Sequence, residues 1–147
     1  MVALAGSVNG LGGLYPPNGK AIRFWTMAPP PVHRVDKPWG HEIWWAETEQ
    51  YAGKLLIVNV GHRLSLQFHR EKDETSYLLS GRLRLLQGPS EDALVESEIG
   101  AGEAWRNEPG VVHSIESLEE SVVLEVSTPH LDDVVRIRDH YGRADSF

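Results

Sequence analysis

The feature that most constrains this chain is a succession of short apolar or alternating segments, each closed by glycine or proline. Residues 55–58 form a continuous apolar run, which is typical of a strand buried on both faces. Residues 64–69 alternate instead, with apolar side chains on one face and polar side chains on the other. Strands at this spacing, separated by turn residues, predict an all-β sandwich or a small barrel.

The same pattern predicts the remaining elements. Gly81 is expected to turn the chain between two strands, and residues 131–141 are expected to form a short C-terminal helix. No convincing amphipathic helix is predicted before residue 131. The predicted strands cover residues 41–48, 53–60, 64–69, 74–80, 82–85, 103–107, 113–116 and 121–127.

The chain divides into two regions of different composition. Residues 1–31 are rich in glycine and proline and carry little charge, which predicts an N-terminal extension. Residues 32–147 carry the strand pattern and form the predicted barrel domain. A chain of 147 residues is long enough to bury the core of one domain.

Composition excludes several classes of protein. The formal net charge is −7, which argues against a nucleic-acid partner. The chain has no cysteine, so disulfides, thiol catalysis and cysteine-held metal clusters are excluded, and a reducing cytoplasmic location is expected. No apolar run approaches the roughly 20 residues that a membrane span needs.

Four side chains are candidate metal ligands. Gln67 and His69 are two residues apart on a predicted strand, so both leave the same face. Glu74 opens the next strand after a short turn, and His113 begins a later strand. Two imidazoles, a carboxylate and an amide oxygen suit zinc, manganese, iron, nickel or cobalt, with zinc preferred. Spacing alone also allows the simpler interpretation of a surface hairpin that carries a histidine and a glutamate.

The order of these residues resembles the first motif of the cupin superfamily, G-x5-H-x-H-x4-E-x6-G. Gly61, Gln67, His69, Glu74 and Gly81 occupy its positions, with Gln67 in place of the first histidine.

The second cupin motif is resembled further along the chain by Gly102, Pro109, Gly110 and His113, with Ser117 where an asparagine is usual. The two motifs in this order imply a cupin-type antiparallel β-barrel of jelly-roll form. They also imply a divalent metal at the four candidate ligands.

A closer resemblance, over residues 36–143, is to the cupin module of type II phosphomannose isomerases. It is carried by the metal residues and by the segments 38–40, 64–67, 133–139 and 141–143. In that family the module often follows a guanylyltransferase domain, which a chain of this length does not contain. Where the family has Arg-x-Glu-His-Trp, this chain has Lys72, Thr75 and Ser76 in place of the arginine, histidine and tryptophan, so the pocket wall differs.

An isomerase needs a base to carry a proton between two carbons. Lys72 is the candidate base, although a hairpin lysine is usually solvated, and a carboxylate inside the barrel would serve better. Arg136 is the candidate phosphate-binding residue. The alternative for Arg136 is an ion pair with Asp133 or Asp139 on one face of the predicted helix.

Three functions follow from this sequence. The first is a metal-dependent isomerase of a sugar or sugar phosphate, similar to mannose-6-phosphate isomerase. The second is another metal cupin enzyme, a dioxygenase or a lyase, and the third is a non-catalytic barrel that binds a sugar or another small molecule. A homodimer is expected, with the N-terminal extension as a candidate strand on the partner and one of the adjacent Trp44 and Trp45 facing it.

Overall fold

The computed structural model of the protein describes residues 31–143. The predicted N-terminal extension lies outside the described residues except for its last position. No helix within residues 31–143 is long and apolar enough to cross a membrane.

Nine antiparallel strands and one short 3-10 turn, at Glu91–Ala93, make up this part of the chain. Two of the strands are much longer than the others. The strands are β1 His33–Lys37, β2 Gly40–Glu47, β3 Ala52–Val58, β4 Leu66–Phe68, β5 Glu74–Gly88, β6 Val95–Gly100, β7 Ala104–Asn107, β8 Val112–Ser127 and β9 Val135–Arg138.

The long strand β8 organises the sheet. It pairs with β5 over most of its length, with β3 near its C-terminal end and with β4 near its N-terminal end. The sheet runs β1-β2-β3-β8-β4-β9, and β6 and β7 both pair with β5. The result is a curled antiparallel barrel, as the sequence predicted.

Alternation along β3, β5 and β8 separates an inner from an outer face. In β8, Val123 and Glu125 are buried inside, whereas Val126 is exposed outside. The inner face holds the core. Next to the core, the barrel opens into a cavity that receives polar side chains. The core cluster consists of Trp39, Leu56, Val58, Leu78, Leu83, Leu85, Trp105, Ile115 and Val123.

Gly81 does not turn the chain, so this prediction was wrong. Residues 74–88 are one bent strand, with register shifts against β8 around Ser80 and Arg82. Gly81 has φ of +92°, and a side chain there would collide with the backbone of Glu120. The glycine therefore permits a bulge that bends a continuous strand between two parts of the barrel.

The expected C-terminal helix is also absent from the described residues. The segment instead contains β9, which pairs antiparallel with β4. Val135 and Ile137 are β-branched and alternate with Arg136 and Arg138, a pattern that suits a strand. Pairing with the otherwise open edge of β4 makes this segment a strand rather than a helix.

Candidate metal centre

Three of the four predicted ligands converge inside the barrel. His69 follows β4, Glu74 opens β5, and His113 is the second residue of β8. His69 Nε2 lies 3.4 Å from Glu74 Oε2, and His113 Nε2 lies 3.2 Å from Glu74 Oε1. One ligand atom from each residue lies within 4.8 Å of the others, and all three side chains are buried.

Hydrogen bonds to the backbone fix which ring nitrogen faces Glu74. His69 Nδ1 donates to the Asp133 carbonyl, and His113 Nδ1 donates to the Val111 carbonyl at 2.9 Å. Because a carbonyl only accepts, each Nδ1 carries a proton, and in a neutral ring the lone pair that can bind a metal ion is then on Nε2. Both Nε2 atoms are buried and make no hydrogen bond within residues 31–143. Two imidazole Nε2 atoms directed at one carboxylate form an arrangement that a shared cation stabilises.

Glu74 is held by two further side chains. Its Oε2 accepts from Lys72 Nζ at 2.5 Å, and its Oε1 accepts from Asn107 Nδ2 at 2.8 Å. Burial raises the pKa of Glu74, but the contacts with His113 and His69 and the charge of Lys72 outweigh burial. The pKa therefore lies well below its usual value, so the carboxylate is ionised and available as a ligand.

Asp133 shapes the loop between β4 and β5. Its carboxylate accepts the backbone N–H groups of Arg70, Glu71 and Lys72 at 3.0, 2.6 and 2.8 Å. Burial raises the pKa of Asp133, but these three hydrogen bonds lower it by more than burial raises it, so the pKa falls to about 2. Asp133 thus positions the loop through its side chain and His69 through its carbonyl.

Gln67, the fourth predicted ligand, lies on β4 directly opposite His113 in the register of β8. Its Oε1 accepts a hydrogen bond from Ser65 at 2.6 Å, and its side chain lines the same cavity as the three convergent residues. The structure thus places Gln67 beside the candidate site.

The candidate site opens into a cavity of about 500 Å³. The protein as a whole is acidic, yet cationic side chains outnumber carboxylates on the cavity wall. The cationic residues are Lys37, Lys54, Lys72, Arg136 and Arg143, and the carboxylates are Glu42, Glu74, Glu125 and Asp132. A divalent ion would add two further positive charges, so the cavity with a bound metal ion would favour an anionic ligand.

Lys72 is not a solvated hairpin residue. Its Nζ lies between Glu74 and Glu125, 2.8 Å from Glu125 Oε1, and its side chain is only 4% exposed. Burial lowers the pKa of Lys72, but Glu125 and Glu74 raise it well above its usual value. A lysine held in this way stays protonated at neutral pH, which suits charge compensation better than proton abstraction.

Arg136 is half-buried on β9, opposite Gln67, and lines the cavity. The helix on which the alternative ion pairs depended does not form, because residues 135–138 are a strand. Asp133 instead accepts backbone N–H groups, and Asp139 accepts from Arg143 at 2.8 Å. Arg143 also lines the cavity.

Several residues at the cavity were not identified from the sequence. Glu42, Lys54 and Glu125 are charged residues within strands, buried on the inner face. Only their place in the alternation of the strand distinguishes them, because each occupies an inward position, where an apolar residue is the rule. Asn107 is the last residue of β7, and no local pattern distinguishes it.

No protein-family model matches the sequence, and no curated protein matches it. Solved structures do match. KdgF from Halomonas sp. is 18% identical with a TM-score of 0.59, over 69% of this chain and 89% of that chain. The capsular polysaccharide assembling protein CapF from Staphylococcus aureus is 17% identical with a TM-score of 0.62, over 74% of this chain and 35% of that chain.

A variant of Bacillus subtilis oxalate decarboxylase OxdC is 19% identical with a TM-score of 0.62, over 72% of this chain and 30% of that chain. This chain therefore spans about a third of the CapF and OxdC chains. These neighbours are cupin-fold proteins, so the fold expected from the two motifs is confirmed. At such identities the likeness establishes the fold alone.

Proposed function

We propose that this protein, which has the cupin fold of its structural neighbours, is a metal-dependent isomerase of a sugar or sugar phosphate. The observation that carries the proposal is the buried cluster of His69, Glu74 and His113 at the wall of a cavity with mixed charges. A bound divalent ion would supply a Lewis acid for the carbonyl and hydroxyl oxygens of the substrate. Zinc is the preferred ion for this donor set.

The cavity suits a small, polar and negatively charged substrate. Its volume of about 500 Å³ accommodates a single sugar ring or open chain. Arg136 and Arg143 both line it, and guanidinium groups bind phosphate through paired hydrogen bonds. We assign the substrate phosphate to this side of the cavity.

Isomerisation of an aldose to a ketose removes a proton from C2 and delivers one to C1. A hydroxyl proton moves from O2 to O1, so the reaction needs no oxidant or reductant. Glu125 is the carboxylate best placed to carry the carbon-bound proton. It is buried at the cavity wall, outside the ligand cluster. Lys72 links it to Glu74 by donating one hydrogen bond to each carboxylate.

The neighbours support a carbohydrate substrate without identifying one. CapF is described as a capsular polysaccharide assembling protein, which places one protein of this fold in carbohydrate metabolism. This chain covers a minority of that protein, so its own substrate follows from its own cavity.

The test is elemental analysis of protein purified without chelator or His-tag, followed by an isomerase assay on aldose 6-phosphates. The wild type should carry stoichiometric zinc, manganese, cobalt or nickel, and His69→Ala should lose it. His130→Ala, which alters an exposed histidine, is the matched control. Glu125→Gln should keep the metal and lose at least 100-fold in kcat. A metal-loaded protein without isomerase activity would contradict the proposal.

A second candidate rests on the same three ligands. Two histidines and one carboxylate are also the ligand set of non-haem iron sites, so a dioxygenase remains the principal alternative. A lyase is the related possibility, since one neighbour is an oxalate decarboxylase. Stoichiometric iron would favour oxygen chemistry, and absence of metal even after soaking would favour a non-catalytic binding barrel.

A further inference from the structure

A second polar cluster lies on the cavity wall formed by β2 and β3. Glu42 and Trp44 are inward residues of β2, and Lys54 is the inward residue of β3 that pairs with Trp44. All three side chains line the cavity that also contains the candidate metal ligands. Lys54 further pairs with Glu125 on β8, so this cluster adjoins the proposed proton carrier in the sheet.

The three side chains are held together by unequal contacts. Trp44 Nε1 donates to Glu42 Oε2 at 2.6 Å, and Lys37 Nζ lies 3.6 Å from Glu42 Oε1. The ammonium of Lys54 lies over the Trp44 ring, 4.4 Å from its centroid. These contacts fix the positions of the carboxylate and the ammonium before any ligand binds.

The Lys54–Glu42 pair is open. The nearest distance between Lys54 Nζ and Glu42 Oε2 is 3.7 Å, which is longer than a hydrogen bond, although the side chains are only 9% and 11% exposed. Lys54 makes no hydrogen bond to the other residues in 31–143 that the structure describes. A buried ion pair that served only stability would gain by closing to the usual 2.7–2.9 Å. The gap leaves ammonium donors for a group in the cavity.

The chemistry of the pair selects that group. A hydroxyl can accept from Lys54 and donate to Glu42 at once, so it satisfies both buried charges. An anion would gain from Lys54 but would be repelled by the adjacent Glu42 carboxylate. A neutral hydroxyl of a polyol therefore fits this cluster better than a carboxylate or a phosphate.

We propose that Glu42, Trp44 and Lys54 form a hydroxyl-binding subsite that recognises the carbinol chain of a polyol substrate. This inference rests on the proposed function for the identity of the substrate, because the carbonyl end of the sugar would lie at the metal and its phosphate end at the arginines. The subsite gives the protein selectivity for sugars with a longer chain of hydroxyl groups.

The test uses two ligands that cannot be isomerised, because neither has a carbonyl group. D-Mannitol 1-phosphate and glycerol 3-phosphate share the phosphate and differ in the number of hydroxyl groups. Isothermal titration of the zinc-loaded wild type should show that the hexitol phosphate binds at least about tenfold more tightly. In Lys54→Met and in Glu42→Gln, the ratio of the two dissociation constants should fall to near one.

Controls separate the subsite from a general effect on folding. Glu42→Gln keeps an oxygen for the Trp44 indole, so it provides a second variant if Lys54→Met fails to fold. Glu116→Gln removes a carboxylate that pairs with arginines away from this cavity and should leave the ratio unchanged. Thermal denaturation checks that each variant is folded.

The outcomes distinguish this inference from the proposed function. A hexitol preference that both variants abolish supports the subsite even if the isomerase assay on aldose phosphates is negative. An unchanged preference in both folded variants, or no preference in the wild type, overturns the subsite even if isomerase activity is found.

Discussion

Lys72 Nζ lies 2.5 Å from Glu74 Oε2, so a buried ammonium directly supports the carboxylate of the candidate metal centre. The same ammonium contacts Glu125 at 2.8 Å. Within residues 31–143, Lys72 is the only lysine or arginine that forms an ion pair with either of these buried carboxylates. Without it, both carboxylates would lose this ion-pair partner in a low-dielectric interior unless a metal were bound.

We predict that Lys72→Met lowers the free energy of unfolding of the metal-free protein by about 3 kcal/mol, because it leaves buried charge uncompensated. Zinc should restore part of this loss, so the zinc-induced increase in Tm should be larger in the variant than in the wild type. Chemical denaturation and thermal melts, with and without zinc, measure both effects.

Arg84→Met is the matched control for this experiment. Arg84 also bridges two carboxylates, Glu96 and Glu116, at 3.0 and 2.8 Å, but its side chain is 40% exposed. Arg84→Met should lower the free energy of unfolding much less than Lys72→Met does, with no dependence on zinc. Equal losses in the two variants would contradict the view that burial makes Lys72 important.

Asp133 predicts a pH dependence of stability. Its pKa is lowered from 3.8 to about 2 by the backbone N–H groups that it accepts, so its contribution is complete above the unfolded value. That contribution is lost as the pH falls from 3.8 towards 2. Asp133→Asn should cost about 2 kcal/mol at pH 7, where the wild-type carboxylate is ionised.

The difference in the free energy of unfolding between wild type and Asp133→Asn should become smaller as the pH is lowered below the pKa that Asp133 has in the unfolded chain. Urea denaturation at a series of pH values measures it. A difference that is constant across this range would show that the charge of Asp133 does not stabilise the loop.

The metal cluster could be predicted from the sequence because its geometry is nearly local. Gln67 and His69 share one strand face, and Glu74 follows after one short loop. His113 needed the second motif, since only the pairing of β4 with β8 brings it to Gln67. The apolar runs of β3 and β8 also fixed the strands that surround the cluster.

The remaining features depend on contacts between distant residues. The strand β9 resembles a helix in its local pattern, and pairing with β4 determines its form. Asp133 accepts a hydrogen bond from the backbone of Lys72, in the loop between β4 and β5, which is 61 residues away in sequence. No local pattern shows such a contact. Lys54 and Glu125 look like ordinary strand charges until the inner face is known, and β1 and β6 are too polar to stand out.

The prediction of a homodimer can be tested on the outer face of the barrel. Ile43, Leu55, Leu124 and Tyr77 are paired in one row across β2, β3, β8 and β5, on the face that points away from the cavity. Val126 is 46% exposed beside this row. A continuous apolar row of this width is typical of a contact between subunits.

We predict that the wild type is a dimer and that Leu124→Glu makes it monomeric, because a carboxylate in the middle of this row would be buried without a partner. Size-exclusion chromatography with light scattering gives the mass. Val95→Glu changes an apolar residue that is 70% exposed on β6, outside the row, and should leave the dimer intact. A monomeric wild type at micromolar concentration would contradict the prediction.

Gln67 provides the last test, because its predicted role as a fourth ligand rests on the motif and on its position opposite His113. Gln67→Ala should weaken zinc binding at least tenfold, since the site loses one oxygen donor. Gln67→His replaces the amide with the imidazole that the motif usually has at this position, and it should bind zinc at least as tightly as the wild type. Competition with a chromophoric chelator measures the dissociation constants. If Gln67→Ala binds zinc as tightly as the wild type, then His69, Glu74 and His113 hold the ion without it, and Gln67 serves only the cavity wall.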